Sequence, residues 1–303
     1  MDIRLNKTLN TNLNATMNSA LNTAMTITLT TTQRQRLIEL SAQPEELDTV
    51  FFDNKERDAF FKERETSYIR QNRDILNDLL ENRHLPKLLE MEQALTDKLT
   101  GLGFTKVVTP TIITADMLKK MSLEKDHPLL SQVFWLDSKR CLRPMHAPNL
   151  YSLMGKLKKV SNGPVRIFEI GSCFRKESQG VMHLNEFTML NLVELGGISS
   201  GGQAQRLEEL AKELMDAAGI SAYKLAAEGS EVYGETLDIL VDGEEVASGA
   251  SGPHPLDANW RIVDPWVGIG AGIERLTMIK HKYGNVRRVG RGLQYLDGAR
   301  LNL

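Results

Sequence analysis

Cysteine is almost missing from this 303-residue chain: Cys141 and Cys173 are the only two, in no metal-ligand spacing. That argues against a disulfide framework or a zinc site and suits a reducing, cytoplasmic compartment. No apolar run approaches the ~20 residues of a membrane span, so no membrane role is expected. The glycine fingerprints of Rossmann and P-loop sites do not occur, which removes the usual parallel-sheet nucleotide sites. Charge of one sign is also lacking, since the net charge is −2. Any RNA contact must then come from local patches, for which Lys156, Lys158 and Lys159 and the cluster Arg287, Arg288 and Arg291 are candidates. Both groups suit a plain solvated surface equally well. With 41% hydrophobic and 25% charged residues, the composition is that of a globular protein with one core plus a small helical appendage.

Three regions succeed one another. Residues 1–32 contain a degenerate tetrad repeat (LNKT, LNTN, LNAT, MNSA, LNTA). A four-residue period drifts around a helix, and Asn and Thr are poor helix formers, so this reads as a low-complexity leader, disordered or loosely helical. A targeting peptide is the alternative, though Arg4 and Lys7 opposed by Asp2 make a weak basic signal. Residues 33–100 read as helical: a short helix over 33–40, a densely charged stretch over 53–73, and a 3.6-residue stripe of Leu85, Leu88, Leu89, Met91, Leu95 and Leu99. Gly101 and Gly103 close that helix. From 101 to 303, strands are expected at 133–136, 165–170, 187–195, 236–241 and 245–250, with helices at 148–159 and 203–219 and another beginning near Gly272. Asp242-Gly243 between two apolar runs predicts a hairpin, hence a mostly antiparallel sheet and an α+β fold.

Two arginines stand in separate motifs 100 residues apart, Arg175 in Phe-Arg-Lys-Glu-Ser and Arg275 in Gly-Ala-Gly-Ile-Glu-Arg-Leu. A guanidinium is always charged and its planar fork matches phosphate oxygens, so the pair suggests a polyphosphate site. His183, Glu186 and Phe187 follow the first, and Glu245-Val246-Ala247-Ser248 precedes the second, able to place a carboxylate and a hydroxyl on Mg²⁺.

These segments resemble the three motifs of class II aminoacyl-tRNA synthetases: Pro110 after a helix and a Val-rich strand, Phe174 through Phe187, and Gly270 through Arg275. More narrowly, Leu142-Arg143-Pro144-Met145, Ala147-Pro148-Asn149-Leu150-Tyr151, Ile167-Phe168-Glu169-Ile170-Gly171, Glu186 through Asn191 and Asp264 through Gly268 are similar to the pyrrolysyl-tRNA synthetase family, from about residue 33 onward. The resemblance implies a class II core over 101–303, preceded by a small helical region that contacts tRNA. It implies an ATP-dependent ligase that activates pyrrolysine or a related Nε-acyl-lysine and esterifies it to an amber-suppressor tRNA. Arg175 would bind the α-phosphate and Arg275 the γ-phosphate of a bent ATP, with Phe187 stacked on adenine. Glu177, His183 and Leu184 would complete the nucleotide site, and Glu245 and Ser248 would carry Mg²⁺. His146, Ala147, Leu150, Tyr151, Met154, Asn191, Val193, Tyr233, Ser251, Trp266 and Gly268 map to the amino-acid pocket, the Asn191 amide recognising the side-chain carbonyl. Leu150, Met154 and Val193 would serve equally as plain core.

Three positions depart from the family pattern: His146 where Leu is expected, Ser251 where Val or Met precedes Gly-Pro, and Ala271 where Phe is usual. They raise the alternatives of an altered amino-acid specificity or of a non-catalytic sensor on the same fold. Residues 1–32 lack the length and composition of the family's extra N-terminal RNA-binding domain, so the chain resembles the catalytic portion; the resemblance implies that either a separate N-terminal subunit is a further tRNA-binding partner or the catalytic protein alone suffices. Motif 1 implies a homodimer.

Overall fold

The computed structural model describes residues 26–124, 127–176, 180–199, 201–230 and 232–303. Most of the tetrad-repeat leader lies outside the described residues, as does Glu177 of the expected nucleotide site. The described chain divides into two compact units, one running to Glu81 with Ala299–Leu303 added, the other spanning Asn82–Gly298.

The first unit is small and helical. Helix α1 (Thr31–Glu39) opens on a capping box in which the Thr30 hydroxyl accepts the Gln33 N–H and the Gln33 side chain accepts the Thr30 N–H. Two short strands, Ile27–Thr28 and Val50–Phe51, pair antiparallel beside it. Residues 27–32 are therefore part of this unit, with Leu29 in its core, and the leader boundary expected at residue 32 moves back before Ile27. The charged stretch becomes one 29-residue helix, α2 (Asn54–Asn82). Its Tyr68 packs with Leu37, Leu40, Leu47 and Phe51.

Helix α3 (Lys87–Gly101) belongs to the second unit, not to the N-terminal helical region where the sequence placed it. Its stripe of Met91, Leu95 and Leu99 is buried against the large sheet, and that burial decides its membership. The sheet has seven strands: β1 (Thr105–Lys106), β2 (Val165–Phe174), β3 (Glu186–Leu195), β4 (Lys224–Ser230), β5 (Gly234–Val241), β6 (Glu244–Gly252) and β7 (Trp266–Gly272). Their order is β1-β2-β3-β7-β6-β5-β4, all antiparallel except β1 with β2. The expected turn between β5 and β6 has Asp242 and Gly243 both at positive φ, 52° and 87°, as a two-residue hairpin requires. Residues 133–136, expected as a strand, contribute only an isolated bridge from Trp135 to Cys141.

Alternation divides the sheet's side chains between two cores. Phe168, Leu190, Leu192, Val267 and Ile269 face α3, α5 (Gln203–Ala218) and α6 (Ile273–Lys280). Ile167, Val193, Leu195, Ala250 and Trp266 face α4 (Ala147–Leu157). The functional groups lie on this second face.

Candidate active site

The register of the sheet lines up one polar row. Asn191 on β3 pairs with Glu169 on β2 and with Gly270 on β7, Gly270 pairs with Ser248 on β6, and Ser248 pairs with Asp238 on β5. Directly opposed residues share a face, so five strands place Glu169, Asn191, Ser248 and Asp238 on one side of the sheet with a side-chain-free gap at Gly270. A Cβ at Gly270 would come within 2.8 Å of Asn191 Nδ2 and 3.2 Å of Met189 Cε, so glycine keeps the floor open. In the next row Gly268 does the same, its Cβ position lying 3.1 Å from the Leu192 carbonyl oxygen.

Above this floor lies a cavity of about 310 Å³ whose lining includes Ala147, Leu150, Tyr151, Met154, Asn191, Val193, Tyr233, Trp266 and Gly268. The structure thus brings nine of the expected pocket residues together. Tyr151 meets Trp266 edge-on at 5.4 Å and stacks on Trp260 at 5.6 Å, forming an aromatic wall. Burial, with the neighbouring Tyr233 and Asp257, pushes the Tyr151 phenol well above its ordinary range.

His146 does not line the cavity. It is fully buried just before α4, its ring over Gly171, and neither ring nitrogen has a hydrogen-bond partner among the described residues. The nearby Asn191 Oδ1 is also buried without a hydrogen bond of normal geometry, yet it stands close enough to the imidazole to favour its protonated form slightly. Burial, then the Arg143 charge, pulls the imidazole down to about 3, so the ring is neutral. Ser251 is a correction of a different kind: it pairs with Val267, whose side chain faces the helices, so alternation turns Ser251 away from the cavity. Ala271 likewise packs in the core on the helix side. Of the three departures, only His146 adjoins the pocket.

A second, smaller cavity of about 90 Å³ is lined by Arg175, His183, Leu184, Phe187, Glu245, Glu274 and Arg275, among others. Arg175, Met189, Glu245 and Gly270 line both cavities, so the two compartments share a wall. Arg175 donates from Nε to the Pro144 carbonyl at 2.9 Å and lies over the Phe187 ring at 5.4 Å. Arg275 donates from Nη1 to the Glu245 carbonyl at 2.9 Å and stands 4.0 Å from its carboxylate. Desolvation, then the Asp238 charge, raises the Glu245 carboxyl. Ser248 Oγ donates to Asp238 Oδ1 at 2.6 Å, and Ser248, Asp238 and Glu245 all line the larger cavity. Two carboxylates and a hydroxyl are hard oxygen donors, the ligand type that divalent cations such as Mg²⁺ take, though among the described residues no group of three or more His, Cys, Asp or Glu side chains gathers as a metal site.

Several residues here had no role assigned from the sequence. Asp238 interrupts the apolar run Leu237-Asp238-Ile239-Leu240, an outlier visible in the sequence itself. Arg143 donates to Glu169 at 2.7 Å and to the Ser172 carbonyl at 2.8 Å, while Thr109 donates to Glu169 through its hydroxyl at 2.6 Å. Asn149 on α4 donates to Thr109 Oγ1 at 2.7 Å and to the Pro110 carbonyl at 2.8 Å, fastening the motif 1 loop to the pocket helix. Glu274, before Arg275, accepts the Thr188 N–H with both oxygens at 2.8 and 2.9 Å. Arg288, a candidate for RNA contact, is buried, with Nη1 donating to the Gly298 carbonyl at 3.1 Å and the guanidinium over Tyr295. It is a structural cation.

Comparison with known proteins bears on this arrangement. The family described as tRNA synthetases class II core domain (F) matches residues 72–225. The crystal structure of pyrrolysyl-tRNA synthetase from Desulfitobacterium hafniense superposes with a TM-score of 0.86 at 51% identity, covering 91% of this chain and 99% of that one. A second structure, D. hafniense PylSc, a pyrrolysyl-tRNA synthetase, gives 0.84 at 50% identity over 92% and 97%. The alpha subunit of phenylalanine–tRNA ligase from Mycoplasma pneumoniae is 31% identical over 81 residues, 26% of this chain and 24% of that subunit, so the match spans about a quarter of its length.

Proposed function

The chain belongs to the class II aminoacyl-tRNA synthetases and, within them, to the pyrrolysyl-tRNA synthetase family, and on that footing we propose that it activates pyrrolysine or a related Nε-acyl-lysine with ATP and esterifies it to an amber-suppressor tRNA. The observation that carries this reading is the shared wall: an aromatic-lined cavity and a two-arginine cavity meet at Arg175, Met189, Glu245 and Gly270. Attack of an amino-acid carboxylate on the α-phosphorus needs the two reactants held end to end and the growing charge neutralised.

Each residue has a task in that scheme. Arg175, at the junction, holds the α-phosphate, and Arg275 the γ-phosphate. Phe187 stacks on the adenine, with His183 and Leu184 closing the nucleotide side. Glu245 and Ser248 hold Mg²⁺, with Asp238 orienting the Ser248 hydroxyl. When bound, the ion supplies charge compensation on the phosphate oxygens. Asn191 meets the side-chain carbonyl, and Tyr151, Met154, Val193 and Trp266 surround the aliphatic chain. An amide left without its partner is costly, so Asn191 selects against substrates that lack the carbonyl.

The helical region before the catalytic unit contacts tRNA in this reading, the protein works in the cytoplasm, and two copies pair through motif 1. Pairing is supported by exposed apolar side chains near motif 1, with Val108 91% and Ile112 50% exposed. A separate N-terminal tRNA-binding subunit is compatible with this scheme. Among the described residues no helix is long and apolar enough to cross a membrane. A changed amino-acid specificity is the second reading, favoured by the buried polar His146 beside the pocket residue Asn191.

Amino-acid-dependent ATP–pyrophosphate exchange, run without tRNA on pyrrolysine, Nε-acyl-lysines, phenylalanine analogues and the standard twenty, tests the proposal. Exchange with an Nε-acyl-lysine is expected, and Arg275→Ala should abolish it. Exchange with another amino acid alone would favour the second reading, and none with folded protein would favour a sensor.

A further inference from the structure

One buried carboxylate outside the nucleotide and metal groups organises the far end of the large cavity. Asp257 is 4% exposed and accepts the Trp266 indole N–H with both oxygens, at 2.9 and 3.0 Å. Its Oδ2 also accepts the backbone N–H of His254 at 2.7 Å. Trp266 is a lining residue, so this arm of the carboxylate fixes one wall.

The other arm runs through His254 to Tyr233. The His254 Nδ1 faces the backbone N–H of Leu256 at 3.2 Å and can only accept there. That assigns the proton of the neutral ring to Nε2, which lies 3.0 Å from the Tyr233 carbonyl oxygen and donates to it. The imidazole also meets the Tyr233 ring edge-on at 5.7 Å, and Tyr233 in turn meets Trp266 at 6.2 Å.

Tyr233 and Val232 pack against the cavity-side core, and the Tyr233 carbonyl also accepts the Glu235 N–H at 2.9 Å within the hairpin. Tyr233 sits where β4 turns into β5, at the outer edge of the sheet, and β4 has no buried residue along its length. Ser230 Oγ accepts the N–H groups of Val232 and Tyr233 at 3.3 Å, which shapes the turn without anchoring it. Local stability follows packing, and on the side of the hairpin formed by β4 no residue is buried, so the contacts of Val232 and Tyr233 carry the hold on this end.

We propose that His254 is a positioning residue that ties the Tyr233 hairpin over the amino-acid cavity, with Asp257 placing both His254 and Trp266. The role as a specificity element rests on reading that cavity as the amino-acid site; the tie itself does not.

Three substitutions separate the hydrogen bond from the ring contact. In His254→Ala both are lost; in His254→Phe the ring remains without a donor; in His254→Gln a side-chain N–H can reach the same carbonyl. In the exchange assay, Ala and Phe are expected to raise KM for the Nε-acyl-lysine about tenfold, the worth of one hydrogen bond, with kcat and the KM for ATP little changed, and Gln to restore KM. Amide hydrogen exchange across residues 224–234 should quicken in the Phe variant and recover in the Gln variant. Equal KM and equal protection in wild type and His254→Phe would overturn the proposal, as would rescue by Phe and not by Gln. If the wild type activates no amino acid, the function reading fails while the exchange-protection arm still decides whether the tie exists.

Discussion

Arg143 and Glu169 form an ion pair at 2.7 Å that is closed to solvent on both sides, the side chains being 3% and 2% exposed. The pair lies at the end of the polar row beneath the pocket, and its remaining capacity is spent on Thr109 and the Ser172 carbonyl. Removing one partner leaves a buried charge uncompensated. Glu169→Ala should therefore cost about 3–5 kcal/mol in urea unfolding. The double change Arg143→Met with Glu169→Leu should cost much less, and an additive result would show that the charges act independently.

Gly270→Ala tests the open floor. The added methyl would crowd Asn191 Nδ2 and Met189 Cε, and Gly270 has no positive φ that would strain the backbone. Folding should survive, while kcat/KM for the amino acid falls about 10- to 100-fold through the displaced amide. Nucleotide binding, measured separately by calorimetry, should change far less.

The proposed Mg²⁺ site, with Glu245 and Ser248 as its ligands, predicts a change in Mg²⁺ dependence. Asp238→Asn keeps a group that can accept from Ser248 but removes the charge beside Glu245. The Mg²⁺ concentration giving half-maximal exchange should rise about tenfold or more, the usual scale for a lost supporting contact around a metal. Ser248→Ala should raise it further. Unchanged Mg²⁺ titrations in both variants would remove these residues from the cation site.

His146 gives a pH signature. Its folded pKa, about 3, lies below the unfolded value of 6.5, so the neutral ring contributes stability that is present above 6.5 and is lost as pH falls toward 3. Thermal midpoints of wild type should fall more steeply than those of His146→Leu as pH drops from 7 to 5. Parallel curves would mean that the ring gains water or a partner on protonation.

Glu274 gives the opposite slope. Desolvation raises its carboxyl to about 7 from 4.5, against the lowering effect of the Thr188 N–H. Its contribution is complete below 4.5 and is lost as pH rises through about 7. Glu274→Gln should flatten the melting curve between those limits, and because the amide oxygen can still accept from Thr188, exchange activity should fall modestly.

Much of the fold is legible in the chain. Apolar stripes mark α3 and α5, and β2, β3, β5 and β6 carry enough β-branched and alternating residues to be placed within a few positions. Strand β7 escapes periodicity because, after Trp266, its pocket face is Gly268, Gly270 and Gly272: absent side chains leave no hydropathy signal. Strand β4 escapes because nothing on it is buried. The pocket lining comes from family resemblance, not from spacing, since Leu150 and Met154 look like any helix core. Ser251 and Ala271 show what resemblance omits, for their faces follow from pairing with Val267 and Ala247, and strand pairing is a long-range fact.

The polar row also bears on how activity can be lost. Asn191, Ser248 and Asp238 reach the cavity because three separate strands arrive in one register, and a slip of a single residue turns a strand's whole set toward the helices. A mispaired sheet would then be a catalytic blank, not a weak enzyme, with Leu192 or Leu190 standing where the amide should be. Destabilising changes far from the pocket should consequently lower the number of competent molecules while leaving the survivors' specificity intact, so yield and selectivity can be tuned apart.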